Sequence, residues 1–211
     1  MCLNMRLLRA SCIAALFLAV LVYAGDKKSG QLYSRPGQTA DLEIKKLVTA
    51  RQNCENWAMA AGLETVLQQQ DVALDQDFWV MRISGGEVCG PGLPSLDMMS
   101  NIVNREFALD DNRRVRLEWQ YTPGAPVDVD AVIAGFRRRQ LSLLLFRGHL
   151  YYLTGITYDE SINNDGTRFF VINELRLANT YSHQPGLAFT KGRDNMNDIG
   201  GIITVSATSL N

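Results

Sequence analysis

The feature that most constrains this chain is a change of apolar period near its middle. Between residues 53 and 70, Trp57, Ala60, Ala61, Leu63 and Leu67 recur at three- and four-residue steps. That is the spacing of one helix face. Between residues 114 and 121, Val115, Leu117 and Trp119 alternate with Arg114, Arg116, Glu118 and Gln120. That is the period of a strand with one wet face. Helices that precede a run of strands define an α+β chain, with an antiparallel sheet in the second half.

The remaining elements follow from their punctuation. Residues 74–83 predict a second helix, broken by Ser84-Gly85-Gly86, and the run from Cys89 to Pro94 (CGPGLP) reads as a loop. Ser95 is placed to cap a helix reaching about Asn104. Residues 129–138 form an amphipathic helix with a basic end, after a turn at Pro123-Gly124-Ala125-Pro126. Apolar strands are predicted at 141–146 and 150–157. Asn163-Asn164-Asp165-Gly166 then makes a hairpin turn, with the returning strand at 168–175, and the last strand is predicted at 200–207. The segment 41–48 fits a strand or a helix equally, and no internal repeat is present.

The first 24 residues predict an exported chain. Arg6 and Arg9 form a positive start, residues 13–23 are an unbroken apolar run of 11, and Val22-Tyr23-Ala24 suits cleavage after Ala24. A run of that length is too short for a membrane span, which needs roughly 20 apolar residues. The expectation is a signal peptide over 1–24, a flexible Gly-, Ser- and Lys-rich leader over 25–40 and one domain over 41–211, secreted or periplasmic. Cleavage leaves 19 basic and 22 acidic residues, a balance that argues against nucleic acid or anionic membrane as partner. Of four cysteines, Cys2 and Cys12 depart with the signal, and Cys54 and Cys89 remain.

Those two cysteines and two histidines carry what chemistry the chain offers. Cys54 opens the first firm helix, where free backbone N–H groups and the helix dipole favour a thiolate. His149 follows Gly148 at the entry to the strand over 150–157, the geometry of a base facing a helix N-terminus. The hairpin returns through Asn173 and Glu174, either of which could orient the imidazole. The two point to opposite faces of a strand, so only one could do so.

Cys54-Glu55-Asn56-Trp57-Ala58-Met59 resembles the nucleophile segment of papain-like cysteine peptidases of the bacterial type. Gly148-His149 and the apolar run to Gly155 are similar to the histidine strand of staphopain-like and bacteriocin-leader-processing peptidases. The resemblance spans about residues 52–207 and rests on the order Cys, His, then amide or acid. It implies a papain-like fold, with a central helix on an antiparallel sheet, and a cysteine hydrolase acting on a peptide or protein without cofactor or metal. Cys54 would be nucleophile, His149 base, and Asn173 or Glu174 the orienting group. Gln52, with the Cys54 N–H, would serve the oxyanion, because the family's usual glutamine position is Val48 here.

Two other readings compete. An even pair of cysteines in an oxidising compartment favours a Cys54–Cys89 disulfide and hence a catalytically silent domain used for binding or structure. The same Cys–His pair could also transfer an acyl group to an amine. His183 lies in a polar stretch and reads as a surface residue. Trp57 and Met59 read as core, Arg137-Arg138-Arg139 as a solvated helix end, and Asp194 and Asp198 match no metal-ligand spacing.

Overall fold

The computed structural model describes residues 31–43, 47, 49–50, 52–54, 56–85, 89, 95–126, 128–180 and 186–210. The predicted signal peptide and His183 lie outside them. In chain order the elements begin with β1 (Gln31–Asp41), α1 (Ala58–Gln68), α2 (Gln76–Ser84) and α3 (Leu96–Val103). They continue with β2 (Glu106–Ala108), β3 (Arg114–Pro123), α4 (Val129–Arg137), β4 (Ser142–Phe146) and β5 (His149–Asn163). The chain closes with β6 (Arg168–Asn179), β7 (Leu187–Thr190) and β8 (Ile199–Ser209). The class is α+β, as the change of period predicts.

Every strand pairing is antiparallel, in the order β2-β3-β8-β4-β5-β6-β7, and β1 pairs with β5 off that path. The strands' alternation divides the apolar residues between two cores. On one face, Leu117, Trp119, Leu143, Leu150, Tyr152, Ile203 and Val205 meet Met59, Leu63, Leu67, Trp79 and Met99 of the first three helices. On the other, Leu144, Phe146, Tyr151, Leu153 and Ile202 meet Val129, Ile133 and Phe136 of α4. The helix α1 is buried almost all round. A β-carbon on Gly62 would stand 3.1 Å from Leu143 Cδ1 and 3.2 Å from Leu150 Cδ2, so this glycine sets how closely α1 sits on the sheet.

Local chemistry fixes the helix ends. Asp75 accepts the Phe78 N–H and caps α2, and Gly85 ends it in the left-handed region at φ 68°. Asp128 accepts the Ala131 N–H and caps α4. The helix α1 starts at Ala58, later than the expected residue 53, because Trp57 N–H bonds to the Cys54 carbonyl in a turn.

The largest departure is β1. The polar segment read as leader forms an eleven-residue strand from residue 31. It can do so because pairing along the edge of β5 uses backbone groups and requires no apolar side chains.

Candidate functional site

The segment before α1 is held by a polar network. The Gln52 side chain, 7% exposed, donates Nε2 to the Cys54 carbonyl at 2.7 Å. Asn53 N–H reaches Gln76 Oε1 at 3.3 Å, and Gln76 Nε2 donates to Glu64 Oε2 at 2.8 Å. Ala50 N–H donates to Thr65 Oγ1 at 2.9 Å, and the buried Tyr152 hydroxyl donates to the same atom at 2.8 Å. Burial pushes the Tyr152 phenol well above the ordinary tyrosine range, against the smaller opposing effect of the Thr65 bond. Ala50 is thereby tied to α1 and Asn53 to α2, and Thr65 carries the first link on to β5.

Cys54 and Cys89 are joined as a disulfide, with Cα atoms 5.7 Å apart. Asn56 Nδ2 donates to the Cys89 carbonyl at 3.2 Å, a second link between the two segments. In this state Cys54 has no thiol to ionise. The Gln52 Nε2–H that would have served an oxyanion is engaged by the Cys54 carbonyl.

The other expected members stand apart. His149 is the first residue of β5, after a two-residue hairpin turn in which Arg147 and Gly148 both have positive φ, 52° and 76°. The Gly-His pair is therefore turn chemistry of the kind that closes tight hairpins. His149 pairs in register with Phe146, one step from Leu144 opposite Tyr151. Those three residues belong to the α4 core, so His149 stands on the sheet face opposite α1 and is exposed.

Asn173 and Glu174 lie on the neighbouring strand but far along it. Glu174 pairs with Thr157, eight residues from His149, a separation of about 26 Å at roughly 3.3 Å per residue. The Asn173 amide bonds to Asp159, whose carboxylate also accepts Gly37 N–H at 2.7 Å. Those bonds, the backbone one foremost, hold Asp159 below the usual carboxylate range. Glu174 Oε1 accepts from Arg176 Nη1 at 3.0 Å. The expected triad is thus divided among three places.

Sequence reasoning missed a densely bonded side chain of the sheet. Arg176 donates to Asp41 Oδ1 at 2.8 Å, to Thr157 Oγ1 at 2.8 Å and to the Ala40 and Ile156 carbonyls at 3.2 Å each. The signal that could have found it was Gly155, a glycine inside an apolar strand, which marks a close approach by another group. Asp194 and Asp198 both pair with Arg147, at 3.1 and 3.0 Å. Among the described residues no cluster of His, Cys, Asp or Glu could hold a metal ion.

A further cavity lies where α4 leaves the outer face of β3 and β8 uncovered. It is an open groove of about 570 Å³, lined by Glu118, Gln120, Thr204 and Ser206 with Arg138 and Gln140 beside them. No helix among the described residues is long and apolar enough to cross a membrane. Comparison with protein-family models, curated proteins and solved structures finds no match. The likeness to papain-like peptidases therefore rests on the order of its motifs alone.

Proposed function

We propose that this chain is an exported, catalytically silent domain with a binding or structural role, in which Cys54 is half of a staple. The observation that carries this reading is the Cys54–Cys89 bond. A nucleophile must be a thiolate with a base in hydrogen-bond reach. The disulfide removes the thiol, and the sheet register sets His149 on the face away from α1. A disulfide also fits an oxidising compartment, in keeping with the signal-like first 24 residues.

The test is labelling of the mature chain with an epoxide warhead that requires an activated thiolate. Titration without reductant should find no free thiol, and no labelling should follow in oxidised or reduced protein while circular dichroism shows the fold intact. Labelling after reduction that His149→Ala abolishes would restore the cysteine hydrolase, with a peptide or protein substrate, in place of the silent domain.

A further inference from the structure

The strand β1 is unusual in what it lacks. None of its described side chains is buried: Tyr33, Ser34, Arg35, Pro36, Gly37, Thr39 and Asp41 are exposed, and Gln38 and Ala40 are half-buried. It nevertheless covers the edge of β5 from Gly155 to Asn163, beyond the point where β4 stops at Ser142 opposite Leu153. Its last residue and the one that follows are anchored to their own chain. Asp41 pairs with Arg176 at 2.7 Å, and Leu42 N–H reaches the Thr154 carbonyl at 2.9 Å. Ala40 and Leu42 also pack against the α4 core.

Residues 33–39 have no such apolar anchor. They hold to β5 by the backbone ladder, by Gly37 N–H to Asp159 Oδ1 at 2.7 Å, and by Arg35 to Glu160 at 3.8 Å. The ladder is itself broken in register between Gln31 and Tyr33 and between Arg35 and Gln38. Segments with little buried apolar surface open locally at low free-energy cost. Once open, β5 presents a row of unpaired N–H and C=O groups, a template for another strand. The strand that fits this template residue by residue is the β1 of a second copy. The same ladder hydrogen bonds and the same ion pair then form between two chains instead of within one, which is the condition for strand exchange.

We propose that residues 31–39 form an exchangeable arm, and that the second occupant of the β5 edge is the arm of another molecule of this chain, exchanged reciprocally about a two-fold axis. Ala40, Asp41 and Leu42 stay with their own body and act as the pivot.

Register supplies the test, since Ser34 and Ser161 are partners across β1 and β5. A single chain carrying both Ser34→Cys and Ser161→Cys should form the bond internally, verifying the pairing. Full-length mature chains carrying only Ser34→Cys are then mixed with chains carrying only Ser161→Cys under mild oxidation. Exchange gives a covalent heterodimer on a non-reducing gel, in a yield that rises with protein concentration. Chains with Ser34→Cys mixed with chains carrying Thr157→Cys, four residues out of register, should give none. Asp159→Asn, which weakens the Gly37 bond, should speed the interchain reaction by about tenfold, the factor expected for one charge-assisted hydrogen bond. An internal bond in the double variant with no heterodimer at any concentration would show β1 to be a fixed part of its own sheet. Absence of the internal bond would overturn the pairing itself.

Discussion

The guanidinium of Arg176 lies over Gly155, so that a β-carbon there would collide with its Nε and with Asp41 Oδ1. The glycine leaves room for an arginine of β6 to cross β5 and meet a carboxylate of β1. An exposed pair such as Arg176–Asp41 contributes little by itself, generally under about 1 kcal/mol. Arg176 adds bonds to Thr157 and two backbone carbonyls, which give the position more weight. Gly155→Ala should therefore displace the guanidinium and cost about 1–2 kcal/mol in urea unfolding. Arg176→Ala should cost a similar amount, and the pair of changes together much less than their sum. Simple additivity would mean that the two residues are not coupled.

The Cys54–Cys89 bond spans 35 residues of sequence, and loop closure of that length is worth about 3–4 kcal/mol in the chain-entropy model. Cys54→Ser with Cys89→Ser should lower unfolding stability by that amount. Reductant should destabilise the native chain to the same degree and leave the double variant unmoved. Equal midpoints with and without reductant would show that the bond adds no stability.

Tyr152 gives an alkaline limb. Burial raises its folded-state pKa above the unfolded value of about 10, so the folded chain holds the phenol proton more tightly. Its contribution is complete below pH 10 and declines as pH rises beyond it, by up to about 1.4 kcal/mol per pH unit. Tyr152→Phe should remove that limb. At neutral pH it should cost about 1 kcal/mol, from loss of the hydrogen bond to Thr65. Identical unfolding profiles for both proteins from pH 9 to 11 would exclude this role.

Acid should act first on β1. Asp159 is held below its ordinary pKa by Gly37 N–H and Asn173, so the stability it lends is present above the unfolded value of about 3.9. That contribution is lost as pH falls through the lower folded value. Hydrogen exchange of residues 33–39 should therefore accelerate in acid before that of α1 or β4. Uniform loss of protection across all three elements would contradict an acid-sensitive arm.

The helices α1 and α4 and the strand β3 were legible because burial writes a period into them, and α2 and α3 because Ser84-Gly85-Gly86 and Ser95 punctuate them. Val115, Leu117 and Trp119 are buried and their neighbours exposed, as their spacing predicts. The strand β1 was not legible, since a strand held by its backbone leaves no apolar alternation to read. The three-residue β2 and four-residue β7 are too short to show a period. For the candidate site, the sequence presented both fates of Cys54, and the competing pair Cys54–Cys89 is the one formed. What failed to transfer was distance along the sheet. The order His149, hairpin, Asn173 suggests adjacency, yet β5 runs fifteen residues before it turns, and register with β6 places Asn173 beside Asp159 instead.

The bond between Cys54 and Cys89 also closes a covalent ring around α1 and α2, since both helices lie between the joined residues. A protease that cuts once inside this ring severs the backbone without separating the pieces. The nicked protein would keep its full mass until reduced, and each half would still be held in place for the other to pack against. Wherever the chain meets a protease, the staple is thus a form of damage tolerance, with survival of a cut built into the connectivity itself.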